Sequence, residues 1–136
     1  MEYKEVRKLV DYWIITAQHD YETMLSLFRI KRYSDCLFYG HIVIEKILKA
    51  HVVSETKQHA PYIHDLVRLQ EVAQLNLSEH ELDFLDAMND YNIRARYPEI
   101  KLEFYKRCTR EYTKNKLDSI KKLYKNLCQE LEQKKL

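Results

Sequence analysis

Cys36-Leu37-Phe38-Tyr39-Gly40-His41-Ile42-Val43-Ile44-Glu45-Lys46-Ile47-Leu48-Lys49-Ala50 is apolar on almost every side of a helical wheel. A helix of that kind packs on more than one side, so it reads as the central helix of a bundle and offers surface for a subunit contact. Ser34 can N-cap it, and the pattern runs on towards Val53. Gly40, the only glycine in the chain, is expected to let a neighbouring backbone approach, because glycine inside a helix costs about 1 kcal/mol. His41 and Glu45 stand at i, i+4, as do Glu45 and Lys49, so the three are expected to form a buried structural network or, alternatively, to support a ligand site.

Working towards the N-terminus, the polar turn Arg29-Ile30-Lys31-Arg32 precedes this segment. Before it, Val6, Leu9, Val10, Trp13, Ala17, Tyr21, Met24 and Phe28 make an apolar stripe that predicts a first helix from about Tyr3 to Phe28. Asp20 lies close to that stripe. Its carboxylate must reach water, a helix N-terminus or a cation, since unpaired burial costs several kcal/mol; an ion pair or hydrogen bond suits it better than catalysis.

Towards the C-terminus, Ser54 to Ile63 is the longest connection, and Pro61 fixes its exit. His64 or Asp65 can cap a short third helix carrying Leu66, Leu69 and Ala73. His59 and His64 would lack further ligands as a metal pair, so no metal is expected there. Ser78 and Glu81 form an S-x-x-E capping box for a fourth helix with Leu82, Leu85, Met88 and Tyr91 or Asn92. Pro98 disfavours the α conformation at Tyr97, so this helix should end near Arg96. Beyond it, Leu102, Tyr105, Leu117, Ile120, Tyr124, Leu127 and Leu131 predict one long terminal helix.

One glycine and two prolines in 136 residues leave no material for hairpins, and the periodicity throughout is helical. The expectation is an all-α, up-and-down bundle of about five helices in a single domain spanning 1–136. The three cysteines, Cys36, Cys108 and Cys128, have neither zinc-finger nor redox spacing, which suits a reducing cytoplasm. No apolar run approaches a membrane span, and the first residues do not form a signal peptide. The motifs G-x-x-x-x-G-K-[ST], H-E-x-x-H and G-x-S-x-G are absent from the sequence, so no cofactor is expected. The net charge of +2 hides an asymmetry: residues 99 to 136 carry 11 Lys+Arg against 6 Asp+Glu. That tail suits nucleic acid or an acidic partner, although interspersed charges also describe a solvated face.

The stretch Asn89-Asp90-Tyr91-Asn92-Ile93-Arg94-Ala95-Arg96-Tyr97-Pro98 concentrates side chains that packing does not require. At 100° per residue Asn89, Asn92 and Arg96 share a face while Arg94 points elsewhere. Arg94, Arg96, Asn89, Asn92 and Tyr97 are therefore the candidate site for a nucleotide or RNA phosphate, with His41, Glu45, Asp20 and His64 as supporting residues. Alternatively, both arginines neutralise the helix dipole, an effect of about 0.3–1 kcal/mol.

In order along the chain, Trp13 with Ala17 and Asp20, then Phe38 through His41 to Glu45-Lys46 and Leu48-Lys49-Ala50, then Pro61 with His64-Asp65-Leu66, then Tyr91 to Pro98 with Ala95-Arg96-Tyr97-Pro98 at its core resemble the HEPN domains (higher eukaryotes and prokaryotes nucleotide-binding). The resemblance is to the prokaryotic branch often encoded beside a small nucleotidyltransferase, and it spans essentially the whole chain. It implies a helical bundle, frequently a homodimer, that acts as an RNA-cleaving toxin, as a nucleotide- or RNA-binding module, or as a nucleotidyltransferase partner in a toxin-antitoxin type of system. The ribonuclease branch carries an Arg followed after four to six residues by His, and no Arg of this chain has one. Cleavage needs a group that exchanges protons near neutral pH, which Arg cannot do. The expectation is a non-catalytic binding or assembly module. The alternatives are a metal-independent ribonuclease with a degenerate site, in which His41 or His64 substitutes, and a purely structural adaptor.

Overall fold

The computed structural model describes residues 1–134. Six helices and no strand occur among them: α1 (Tyr3–Arg29), α2 (Tyr33–Thr56), α3 (Leu66–Val72), α4 (Glu79–Arg96), α5 (Pro98–Arg107) and α6 (Arg110–Lys134). The all-α bundle matches expectation, but the helix count does not.

The long terminal helix is interrupted after Arg107. Cys108 leaves the helical region at φ −81°, ψ 68°, and the Thr109 hydroxyl accepts from the Tyr112 N–H at 3.2 Å, starting α6 afresh. Buried Phe104 anchors α5 by stacking on Tyr91, with ring centroids 6.0 Å apart. Thr109-Arg110-Glu111 was the available signal, an N-cap threonine with an acid in the first turn.

α2 is the centre of the bundle. Leu37, Val43, Ile44, Ile47, Leu48 and Val53 are fully buried, and α1, α3, α4, α5 and α6 all pack on it. Most of its wide apolar surface is thus covered within one chain, with Phe38, Tyr39 and Ile42 left partly exposed. Two details differ from expectation. The helix begins at Tyr33 behind Arg32, which makes no side-chain cap, so Ser34 lies inside the first turn and is buried. Gly40 admits a side chain, not a backbone: a Cβ at this position would stand 2.6 Å from Cδ1 of Ile120 and 3.5 Å from Sδ of Met24. The single glycine lets α6 close onto α2 next to α1.

Helix ends follow two rules. Asp65 caps α3 by accepting from Val67 and Arg68 N–H, and Ser78 with Glu81 forms the full capping box of α4. Elsewhere Lys31, Lys57 and Gln74 turn the chain with positive φ of 66°, 59° and 54°, a conformation that normally belongs to glycine. No helix among the described residues is long and apolar enough to cross a membrane.

Candidate functional site

Glu45 gathers three cationic or imidazole groups. One carboxylate oxygen stands 3.1 Å from Lys49 Nζ. The other accepts from His64 Nδ1 at 3.0 Å and lies 3.7 Å from His41 Nδ1. His41 in turn donates from Nε2 to the His64 carbonyl at 3.0 Å. The helical spacing supplies His41 and Lys49, and the loop leading into α3 supplies His64. Lys49 also sits over the Trp13 ring, 5.3 Å from its centroid, so α1 shares the cluster. A cation above the indole face is attracted by its quadrupole.

His41 is enclosed. Burial pushes its imidazole below the ordinary 6.5, against the opposing pull of Glu45 and of the His64 carbonyl. A neutral ring shut away from solvent and bonded to a backbone carbonyl cannot trade protons with a bound substrate. His64 differs, because its side chain is 57% exposed. Its Nδ1 is engaged by Glu45, which fixes the ring while leaving much of it open to solvent.

Asn89 holds this region together from α4. Its Oδ1 accepts from the Leu66 N–H and its Nδ2 donates to Asp65 Oδ1, each at 3.0 Å. The side chain expected to orient an anion is therefore committed at both ends to the start of α3. Asp20 takes the cation it needed: its Oδ2 meets Lys46 Nζ at 2.5 Å, fastening α1 to α2.

The two arginines part ways, as their angular spacing implied. Arg94 bridges to Asp90 one turn earlier, at 3.6 Å and at the surface. Arg96 lies over the Phe38 ring, 5.7 Å from guanidinium carbon to centroid. Phe38 stands one turn before His41 on α2, so Arg96 sits at the end of the polar row formed by Asn89, His41, Glu45 and His64. Asn92 is half-buried on the same face of α4, and Tyr97 is exposed at its C-cap. Phe38 belongs to this surface through Arg96 although the sequence gave it no site role; its position on α2 one turn before His41 was the signal.

Among the described residues, no three or more His, Cys, Asp or Glu side chains are grouped to hold a metal ion. A family model described as the HEPN domain matches residues 10–133. No curated protein and no solved structure gave a match.

Proposed function

The chain belongs to the HEPN domain family, and from that premise we propose that it is a non-catalytic nucleotide- or RNA-binding module that assembles with a nucleotidyltransferase in a cytoplasmic toxin-antitoxin type of system. The observation that carries this reading is the placement of Arg96. Its guanidinium rests on an aromatic face instead of a carboxylate, which leaves its planar donors for two phosphate oxygens. Arg94 adds positive potential, since its exposed pair with Asp90 is worth only about 0.3–0.5 kcal/mol and yields readily to a phosphate. Asn92 and Tyr97 complete the rim. The helix C-terminus opposes an anion with roughly half a charge, and a guanidinium turned aside onto Phe38 is clear of those carbonyls.

The test is binding of labelled RNA and of ATP by fluorescence polarisation across a salt series. Arg94→Ala with Arg96→Ala should keep the fold and lose the salt-sensitive binding. Arg110→Ala, which removes a guanidinium from over Phe28 on another part of the surface, should leave it intact. Unchanged binding in the folded double variant overturns the reading.

A ribonuclease reading has one observation in its favour, the exposed His64 oriented by Glu45. Such a pair has the arrangement of a general base. Metal-free RNA cleavage that disappears in His64→Gln would favour it. As to assembly, we propose a homodimer whose contact includes Phe38, Tyr39 and Ile42, the half-exposed apolar residues along α2. Light scattering of Ile42→Arg should then report monomer where the natural sequence reports dimer.

A further inference from the structure

α1 and α6 both lie against α2, and they meet each other where Tyr21 stacks on Tyr124, with ring centroids 4.6 Å apart and planes 19° from parallel. Beside that stack opens a cleft of about 630 Å³. Ile47 of α2 is among the apolar residues that line it, with Ile14 and Tyr21 on α1 and Tyr124, Cys128 and Leu131 on α6. Ile47 leaves α2 about 200° around the helix from Glu45, so this cleft is on the other side of the central helix from the arginine and histidine row. Its size falls within the range of about 300–1,000 Å³ usual for small-molecule sites, which are mostly apolar with a few convergent polar groups.

The charge at its edge selects the kind of molecule. Lys121, Lys122 and Lys125 line the cleft against one carboxylate, Glu132. Lys121 and Lys125 are one helical turn apart and project the same way. Long lysine stems extend apolar walls while their ammonium groups remain at the water boundary. We infer that the α1–α6 cleft binds a small amphipathic organic anion, whose apolar body lies along Ile14, Tyr21 and Tyr124 over the buried Ile47 and Leu131 and whose acidic head sits among Lys121, Lys122 and Lys125.

Both an acyl chain and a fused aromatic system fit that description, and two probes separate them. The native protein is titrated with dodecanoate and with anilinonaphthalene sulfonate, using dodecanol as the headless control and inorganic phosphate as the bodiless one. At least one of the two anions should bind at a single site, and each control at least about tenfold more weakly. Dodecanoate alone would identify an acyl site, and the sulfonate alone an aryl site. Lys121→Gln with Lys125→Gln should weaken the anion about tenfold, and Ile14→Trp should block it by filling the cleft. Cys128 gives a readout in the natural sequence: Cys36 and Cys108 are buried and Cys128 is partly exposed, so a bound anion should slow alkylation of Cys128 by iodoacetamide. Binding that survives in folded lysine and tryptophan variants overturns the inference, and so does Cys128 alkylation unaffected by a saturating anion. A dimer that Ile14→Trp converts to monomer would show that a second copy covers the cleft, which also overturns it. Should either variant fail to fold, the Cys128 measurement decides.

Discussion

His51 and Lys134 join the middle of the fold to its last described turn: the Lys134 ammonium donates to His51 Nδ1 at 2.9 Å, while His51 Nε2–H donates to the Leu127 carbonyl at 2.8 Å. The ring must be neutral to serve both neighbours. Burial, with Lys134 adding to it against the pull of the Leu127 carbonyl, brings its pKa from 6.5 to about 4.

This pair predicts acid sensitivity. The unfolded chain takes up a proton at His51 near pH 6.5, and the folded chain only near 4, so protons favour unfolding between the two values. The stabilisation is complete above pH 6.5 and is lost as pH falls towards 4. Each pH unit is worth about 1.4 kcal/mol, for a total of roughly 3 kcal/mol. His41, also shifted downward by burial, acts in the same direction. Denaturant melts from pH 7 to pH 4 should show a shallower loss in His51→Gln, whose amide can still donate to Leu127 but cannot titrate. An unchanged slope would remove His51 from the account.

Gly40 and Ile120 predict a coupled pair. Gly40→Ala gains about 1 kcal/mol of helix propensity but sets a methyl 2.6 Å from Ile120 Cδ1, and overpacking of that kind costs about 1–3 kcal/mol. Ile120→Val removes the offending atom. Gly40→Ala should therefore be tolerated better in the Ile120→Val background, with a coupling energy of about 1 kcal/mol in a double-mutant cycle. Additive effects would mean that Ile120 simply turns aside.

Lys31 predicts a gain. It holds φ 66° at an exposed position after α1, where a side chain costs about 1–2 kcal/mol. Lys31→Gly should raise unfolding free energy by about 0.5–1 kcal/mol once the entropy that glycine adds to the unfolded chain is subtracted. A lower denaturation midpoint would show that the lysine makes a compensating contact.

The sequence carried three helix ends that a side chain makes. Ser78 with Glu81, Asp65 and Pro98 each act through a bond or ring that local spacing reveals. It concealed the ends at Lys31, Lys57 and Gln74, where the chain turns through positive φ, because a left-handed lysine or glutamine leaves no compositional mark. The Cys108–Thr109 break was hidden for a related reason: the apolar stripe resumes in phase with a terminal helix, and periodicity outweighed a single capping threonine. Within the candidate site, His41, Glu45 and Lys49 were legible as neighbours because one helix places them. His64 joins Glu45 from 19 residues away, and Arg96 reaches Phe38 across two helices. Contacts of that sort depend on how α4 and the loop before α3 dock on α2, which no local pattern encodes.

Glu45 predicts a large and reversible loss of stability. Its side chain is 12% exposed and that of Lys49 8%, so Glu45→Ala strands a buried ammonium beside Trp13 and also releases His64 from its loop anchor. Removing one partner of a buried pair costs about 3–5 kcal/mol, whereas replacing both by apolar groups of similar volume is close to neutral. Glu45→Ala should therefore lower unfolding free energy by about 3 kcal/mol, and Glu45→Leu with Lys49→Met should recover most of it. Lys49→Met alone should fall between the two, because Glu45 still has His64 and retains some access to water. Urea melts of the three proteins measure this directly. If Glu45→Ala melts like the natural sequence while binding of RNA or nucleotide is lost, Glu45 serves the ligand and not the fold. If the single and double variants are equally unstable, the loss comes from the freed loop at His64, and the Glu45–Lys49 pair contributes nothing of its own.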